Sequence, residues 1–253
     1  MTVYFVGAGP GDPELITVKG ARLLSGANLV VYAGSLVNEA ILTHTKEDAR
    51  LVDSAGLALD EIVQLMADAV QKGERVVRLH TGDPALYGAI QEQMDELEKI
   101  GIESVMVPGV SSYAAAAAAV RRELTLPEVS QTVIITRLAG RTPVPEKESL
   151  QTLASHRASM CIFLSVGMID SVVDELIVSY PPQTPVAVVE KASWPQERVI
   201  RGTLADIAGK VAEAGITKTA MILVGDFLGE QSYPPSRLYA PAFTHGYRTG
   251  RDT

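Results

Sequence analysis

Two Gly-Asp-Pro tripeptides follow predicted β-strands and are the first residues in this chain that could do chemistry. Gly11-Asp12-Pro13 comes shortly after the apolar run VYFV, and Gly82-Asp83-Pro84 comes shortly after VVRL. An Asp before Pro can cap a helix, because its carboxylate accepts a bond from a free backbone N–H and Pro suits the first helical position. Glycine and carboxylate at the end of a strand can also bind a ligand. The tripeptides alone do not decide between helix capping and ligand binding.

The glycines of the first loop do not fit a dinucleotide-binding site. Gly7, Gly9 and Gly11 are spaced as G-x-G-x-G, whereas the dinucleotide fingerprint is G-x-G-x-x-G. Asp12 and Glu14 would place negative charge where a pyrophosphate binds, and no ribose-binding acid follows about 20 residues later. These features disfavour a nicotinamide oxidoreductase. They are compatible with a neutral or cationic ligand rich in hydrogen-bond donors, such as a nucleoside that carries a sulfonium.

Composition narrows the class of protein. The chain has 253 residues, 47% of them hydrophobic, which suffices for one large or two small cores. A net charge of −8 disfavours nucleic acid and anionic membranes as partners, so we predict neither. The single cysteine, Cys161, cannot form an internal disulfide, and its apolar neighbours indicate a buried strand residue.

The chain contains neither a metal-binding pattern nor a targeting pattern. Its four histidines are scattered and do not combine with the single cysteine in a metal-ligand spacing, so we predict no metal site. No apolar run approaches the roughly 20 residues that a membrane span needs. The N-terminus begins directly with a strand-like run and has no basic segment of a signal peptide. We therefore expect a cytoplasmic protein.

Short β-branched runs alternate with helical patterns along the whole chain. In the first part of the chain, where the strands read as continuous apolar runs, this alternation predicts an α/β domain with a mainly parallel sheet, and a second alternating series predicts a second α/β domain. A break at RRELTLPEVS places the domain boundary, giving domains at 1–120 and 121–230 and a tail at 231–253 that is expected to be partly disordered. The predicted strands are Val3–Val6, Leu29–Tyr32, Arg50–Val52, Arg75–Leu79, Ser104–Val107, Thr132–Thr136, Met160–Leu164, Pro185–Glu190, Arg198–Arg201 and Ala220–Val224.

Four motifs in order along the chain resemble the tetrapyrrole methylase family. They are VYFVGAGPGDPELITVKG, RLHTGDPALYG, VPGVSSYAAAAAAV and VVEKASWPQERVIRGTLADIA, and together they cover residues 1 to about 230. The resemblance implies a class III methyltransferase that depends on S-adenosylmethionine (SAM) and holds it in the cleft between its two domains. VYAGSLV and FTHGYR point, within the family, to a precorrin substrate of cobalamin biosynthesis. The family also implies a homodimer.

The resemblance further implies which residues contact the cofactor. In the first domain these include Ser111 and Ser112, which stand where hydroxyls and helix N-terminal amides could bind the cofactor carboxylate. In the second domain the family has Tyr-Met-Gly where this chain has Phe163-Leu164-Ser165. The predicted cofactor residues are Pro10, Thr81, Gly82, Asp83, Leu86, Ser111, Ser112, Leu164, Ala192, Thr219 and Ala220.

Methyl transfer from a sulfonium needs neither a metal nor a covalent nucleophile, because the leaving group is already good. Alignment and exclusion of water can supply the catalysis, so we expect no catalytic triad. Asp83 is the one candidate catalytic residue, as a stabiliser of the sulfonium. A tetrapyrrole rich in carboxylates requires cations, and Arg137, which follows the run TVIIT, is the first choice, with Tyr87 and Tyr113 as ring contacts.

Other functions stay open on the sequence. Within the family, the acceptor could be a cobalt-containing analogue of the substrate, another ring carbon, diphthine or ribosomal RNA. The negative net charge counts against RNA, since RNA binding rewards basic surfaces. Outside the family, a noncatalytic nucleotide-sensing module is the remaining alternative.

Overall fold

The computed structural model describes residues 2–230 and 232–251, and it contains two compact units. The first unit comprises the described residues of Met1–Ala116 together with Lys191–Arg198, and the second those of Ala117–Glu190 and Val199–Thr253. Both units combine a β-sheet with helices, which confirms the predicted α/β fold in two parts. The domain limits predicted from the sequence stay a prediction. Part of the predicted tail, at positions 231, 252 and 253, lies outside the described residues.

The first unit contains a parallel sheet of five strands in the order β3-β2-β4-β1-β5, and all four neighbouring pairs run parallel. This confirms the prediction, which was based on strands that read as continuous apolar runs. The strands are β1 (Thr2–Gly7), β2 (Leu29–Tyr32), β3 (Arg50–Asp53), β4 (Val76–His80) and β5 (Glu103–Val107). The helices are α1 (Val18–Ser25), α2 (Leu59–Gln71), α3 (Gln91–Lys99) and α4 (Ser112–Val120), the last of which begins in this unit.

The register of this sheet brings three loops to one edge. Gly7 at the end of β1 lies opposite His80 at the end of β4, and Val6 lies opposite Val107 at the end of β5. Parallel strands end on the same side, so the segments that follow β1, β4 and β5 must leave the sheet next to one another. Those segments carry both Gly-Asp-Pro turns and the start of α4.

The second unit contains a mixed sheet in the order β6-β7-β10-β8-β9. Strand β6 is parallel to β7, whereas β10 is antiparallel to both β7 and β8. The apolar pattern located all five strands but carries no information about their direction. The strands are β6 (Val133–Arg137), β7 (Ser159–Phe163), β8 (Pro185–Glu190), β9 (Arg198–Thr203) and β10 (Ala220–Val224), and the helices are α5 (Leu150–Ala154), α6 (Ile169–Leu176) and α7 (Ile207–Glu213).

Each sheet packs helices against its apolar faces. On α2 one face is buried with Phe5 of β1, and it consists of Ile62, Met66, Ala69 and Val70. In the second unit, a separate core joins the middle strands to α6 and α7. None of the helices described in residues 2–230 and 232–251 is long and apolar enough to cross a membrane.

The described part of the tail has little regular structure. Residues 232–251 contain a 3₁₀ helix at Arg237–Tyr239 and a single β-bridge between His245 and Arg248. The guanidinium of Arg248 donates to the carbonyls of Leu238 at 2.8 Å and Ala240 at 2.7 Å. The side chain of Arg248 therefore binds both the 3₁₀ helix and the residue that follows it.

Two polar side chains of β4 are buried beneath the sheet edge that carries the loops. Arg78 is 4% exposed and donates to Gln93 Oε1 at 3.0 Å and to the carbonyl of Val31 at 3.2 Å. His80 is 5% exposed and stacks on Phe5, with ring centroids 6.1 Å apart. Its Nε2 has no hydrogen-bond partner among the described residues. Burial, followed by the charge of Arg78, lowers the pKa of His80 to about 3.

The lowered pKa of His80 predicts loss of stability in acid. The folded state keeps the ring neutral, whereas the unfolded chain takes up a proton below its ordinary pKa of about 6.5. The contribution is therefore complete above pH 6.5 and is lost as the pH falls toward 3. Between pH 7 and pH 5 the free energy of unfolding should fall by about 2 kcal/mol through this group.

Urea unfolding of the unsubstituted protein and of His80→Leu at these two pH values isolates the effect, because every other titrating group is common to both. The unsubstituted protein should lose about 2 kcal/mol more than the variant on going to pH 5. Equal losses in the two proteins would show that burial of His80 is not coupled to its protonation.

Candidate functional site

The loops that follow β1 and β4 are joined by backbone hydrogen bonds. The amide of Ala8 donates to the carbonyl of His80 at 2.7 Å, and Gly9 and Gly82 form a β-bridge in which each amide donates to the other's carbonyl, at 3.3 and 2.7 Å. Both bridge glycines have positive φ, +79° for Gly9 and +61° for Gly82, a conformation that glycine adopts without strain. The first loop, with Pro10, is thus held directly against the Thr81–Asp83 turn.

Close approach of neighbouring backbones explains why glycine stands at Gly7 and Gly109. A Cβ atom built on Gly7 would lie 2.6 Å from both Gly109 Cα and the carbonyl oxygen of Gly82, and one on Gly109 would overlap that same oxygen. Real side chains do not reach such distances, so any larger residue would push the loops apart. The loops after β1 and β5 reach the carbonyl of Gly82 only because Gly7 and Gly109 lack side chains, whereas Gly82 itself suits glycine because its φ is positive.

Asp83 ties the second loop to the third. Its Oδ1 accepts a bond from the amide of Ala85 at 2.8 Å, and its Oδ2 accepts one from the amide of Gly109 at 2.9 Å. No helix starts after this turn, since α3 begins only at Gln91, so the capping interpretation is wrong for the second Gly-Asp-Pro. It holds for the first, where Asp12 Oδ1 accepts from the amide of Glu14 and caps a short 3₁₀ helix.

The start of α4 lies against the Gly82 turn. A Cβ on Gly82 would stand 3.6 Å from the amide nitrogen of Ser112 and 3.8 Å from Cα of Ser111, which is ordinary van der Waals distance. Ser111 is 8% exposed, and its carbonyl begins the helical bonding by accepting from Ala114 at 3.1 Å. The predicted residues Pro10, Thr81–Asp83, Ser111 and Ser112 therefore lie in loops that the structure brings together.

Three further predicted residues of the first unit lie close by in sequence and differ in exposure. Leu86 continues the second loop, and its amide donates to the carbonyl of Asp83 at 3.2 Å. Tyr87 is 44% exposed and has φ of +56°, so a bulky residue holds a conformation that normally favours glycine. Tyr113 lies in the first turn of α4 and is half-buried.

Three residues that were not predicted from the sequence hold the first loop by side-chain hydrogen bonds to its backbone. Trp194 Nε1 donates to the carbonyl of Pro10 at 2.9 Å, Ser193 Oγ accepts from the amide of Asp12 at 3.0 Å, and Asn38 Nδ2 donates to the carbonyl of Gly11 at 2.8 Å. The predicted residue Ala192 directly precedes Ser193 and Trp194 and is buried. The one available signal was the single tryptophan of the chain, placed within the polar stretch SWPQER.

The second unit places its predicted residues at one edge of its own sheet. Ile162 of β7 pairs with Ile222 of β10, so Leu164 and Ala220, two residues further on and two residues earlier, reach the same edge. Leu164 is 65% exposed with φ of +56°, and Thr219 has φ of +54°. Packing within the unit does not explain an exposed leucine in this conformation, and backbone strain of this kind is typical of ligand sites.

Arg137 reaches that edge as well, because it pairs with Phe163 in the register of β6 and β7. Its guanidinium is turned toward its own loop, where it donates to the carbonyls of Thr142 at 3.1 Å and Pro143 at 2.7 Å. A guanidinium has five N–H donors, so these bonds leave donors for a ligand. Its first role in the structure is nonetheless to shape the loop at 138–143.

The bonds of Asp83 predict the effect of an isosteric substitution. Asp83→Asn leaves one acceptor oxygen for two amides, so one backbone N–H loses its partner and the free energy of unfolding should fall by about 1 to 2 kcal/mol. Asp12→Asn is the matched control, because the Asp12 carboxylate accepts one bond from the described residues, from the amide of Glu14, and an asparagine oxygen can accept that bond as well. Urea unfolding of both variants tests this, and equal stability would show that Asp83 does not tie the two loops.

Sequence comparison identifies the family. The model of the Tetrapyrrole (Corrin/Porphyrin) Methylases matches residues 2–208. Cobalt-precorrin-4 C(11)-methyltransferase of Methanocaldococcus jannaschii is 58% identical over 97% of this chain and 95% of its own. Precorrin-4 C(11)-methyltransferase of Pseudomonas aeruginosa is 50% identical over 99% of this chain and 100% of its own.

Solved structures agree with the sequence comparison. A crystal structure of cobalt precorrin-4 methyltransferase, a cobalamin biosynthetic enzyme, superposes with a TM-score of 0.88 at 49% identity, covering 90% of this chain and 95% of that one. Uroporphyrin-III C-methyltransferase from Thermus thermophilus, complexed with S-adenosylhomocysteine, has a TM-score of 0.76 at 29% identity and covers 95% of both chains. This chain belongs to the tetrapyrrole methylase family.

Proposed function

We propose that the protein is a SAM-dependent methyltransferase that adds a methyl group to C11 of precorrin-4, giving precorrin-5 in cobalamin biosynthesis. The observation that carries the proposal is the identity of 50 to 58% over nearly the full chain to relatives that bear this activity in their names. The three joined loops of the first unit supply the site that such an activity requires.

The loops fit S-adenosylmethionine by their own chemistry. The absence of side chains at Gly7 and Gly109 brings the backbones of the three loops to one edge of the sheet, where backbone groups can contact a nucleoside. Helix α4 spans nine residues, and its start at Ser111 and Ser112 offers the partial positive charge that suits a carboxylate. In the second unit, the exposed Leu164 offers an apolar surface for a flat ring.

We assign the cofactor to the residues that the resemblance implied. In the first unit these are Pro10, Thr81, Gly82, Asp83, Leu86, Ser111, Ser112 and Ala192, and in the second Leu164, Thr219 and Ala220. When bound, SAM supplies an electrophilic methyl group on a positively charged sulfur.

The residues of the site act by binding and orientation. Both oxygens of the Asp83 carboxylate accept backbone bonds, so this side chain fixes the loop geometry and adds negative potential for a cationic ligand. Holding the two reacting carbons about 3 to 3.5 Å apart and excluding water can supply most of the rate. Among residues 2–230 and 232–251, no group of three His, Cys, Asp or Glu side chains could hold a metal ion.

Tyr87, Tyr113 and Arg137 are proposed to contact the tetrapyrrole. The two tyrosines offer ring surfaces, and Tyr87 is exposed. Arg137 retains donors for a substrate carboxylate after binding its own loop. Arg121 and Arg122 follow the end of α4, where Arg201 donates to the carbonyl of Val120 at 2.9 Å. Cations are favourable at a helix C-terminus, which gives those arginines a structural explanation.

The metal content of the substrate is the main alternative. Relatives named for precorrin-4 and for cobalt-precorrin-4 are both about half identical to this chain or more, so the cobalt-containing substrate of the anaerobic pathway is the second candidate. We further propose a homodimer, as family membership suggests, and a cytoplasmic location, with which the buried free thiol of Cys161 is compatible.

Incubation with SAM and each of the two substrates tests the proposal. Mass spectrometry should show one added methyl group on precorrin-4 or on its cobalt complex, and NMR of the product should place it at C11. The matched control replaces SAM with S-adenosylhomocysteine and should give no product. Absence of methylation on both substrates, or a methyl group on another ring carbon, would contradict the proposal.

A further inference from the structure

Three side chains from distant parts of the sequence bind consecutive residues of the first loop. Trp194 binds the carbonyl of Pro10, Asn38 the carbonyl of Gly11, and Ser193 the amide of Asp12. We call Asn38, Ser193 and Trp194 the loop clasp. From these contacts we infer that Trp194 is a positioning residue, which holds the first loop in the shape that binds the methyl donor. The identity of that ligand rests on the proposed function.

The indole ring of Trp194 also lies against the loop backbone at Gly11. A Cβ built on Gly11 would overlap the five-membered ring of the indole at Cδ1 and Nε1. Gly11 is not among the glycines with positive φ, so the backbone at this position would accept an alanine. The indole ring is therefore the reason that a side chain is excluded at Gly11.

The segment that carries Trp194 is itself fixed. Ser193 donates its amide to Glu197 Oε2 at 2.7 Å, and the amide of Trp194 donates to the carbonyl of Lys191 at 2.9 Å. Lys191 also places its Nζ 5.8 Å from the centroid of the indole ring. Lys191 and Ser193 have φ of +47° and +67°, which is costly for residues with side chains and persists only where surrounding contacts enforce it.

A fixed clasp reduces the cost of ligand binding. A loop that contains Gly9, Pro10 and Gly11 between its strand and its 3₁₀ helix has many conformations if nothing holds it. Bonds to three successive residues select one of these before the ligand arrives, so less conformational entropy is lost on binding. Trp194 Nε1 donates to the carbonyl of Pro10, so this donor is not available to the cofactor. Loss of a clasp bond should nevertheless weaken the affinity for the cofactor, because the loop is then no longer held in one conformation.

Calorimetric titration with S-adenosylhomocysteine tests the role of the hydrogen bond. Trp194→Phe keeps an aromatic ring but removes Nε1–H, and the dissociation constant should rise about fivefold. Tyr180→Phe is the matched control, because it removes a buried donor bond of 2.6 Å to the carbonyl of Ala158 in the second unit. Both variants should melt at a lower temperature, but only Trp194→Phe should bind more weakly.

A second variant covers the case in which Trp194→Phe does not fold. Ser193→Ala keeps the indole ring and removes only the acceptor for the amide of Asp12, so its dissociation constant should rise by about two- to fivefold. Affinity equal to that of the unsubstituted protein in every foldable clasp variant would overturn the inference. Failure of the unsubstituted protein to bind S-adenosylhomocysteine would instead overturn the proposed function.

The contact can also be measured without any ligand. Gly11→Ala should lower the urea unfolding midpoint strongly when Trp194 is present and only slightly in the Trp194→Ala background, where the space of the ring is free. Such coupling would show that the indole ring defines the position of the loop. Additive effects of the two substitutions would show that it does not, and would overturn the inference independently of cofactor chemistry.

Discussion

The meeting of three loops at the end of one parallel sheet is the constraint on which the site depends. Parallel pairing brings the ends of β1, β4 and β5 to one edge, but the loops can touch only because Gly7 and Gly109 have no side chains. The bridge between Gly9 and Gly82 then satisfies the backbone groups that such close packing removes from water. Sheet topology, the two glycines without room for a side chain and the Gly9–Gly82 bridge together set the shape of the site.

Asp83 completes this arrangement with a charged side chain. A carboxylate that accepts two backbone bonds joins the second loop to the third and leaves a negative charge at the same edge. A residue chosen only for charge could be replaced by another acid, whereas this one must also reach two amides at about 2.8 to 2.9 Å. Structural and electrostatic roles are combined in one side chain, which is why the capping interpretation and the ligand interpretation were both reasonable.

Much of the fold could be predicted from the sequence. All ten strands of the described residues 2–230 and 232–251 were located, because apolar β-branched runs bounded by turn residues are a local signal. The direction of β10 could not be predicted, since an apolar strand reads the same in a parallel and in an antiparallel pair. The parallel first sheet was predictable because long helical crossovers separate its strands.

The site was predictable only in part, for a physical reason. Glycine spacing and the Gly-Asp-Pro turns marked the loops, but hydrogen bonds between residues far apart in sequence leave no local pattern. Trp194 binds Pro10 across 184 positions, and Asp83 binds Gly109 across 26. The left-handed backbone conformation of Leu164 and Thr219 could not be predicted from the sequence either, because neither leucine nor threonine favours it.

Hydrogen exchange at the backbone amides of Gly82 and Gly109, in the protein without ligand, tests most directly whether the loops are joined before anything binds. Gly82 donates to Gly9 and Gly109 donates to Asp83, so both amides should exchange far more slowly than that of the exposed Gly56 in the same unit. Exchange of Gly82 and Gly109 as fast as that of Gly56 would show that the loops are open until a ligand binds, and would contradict a site built in advance by its own backbone.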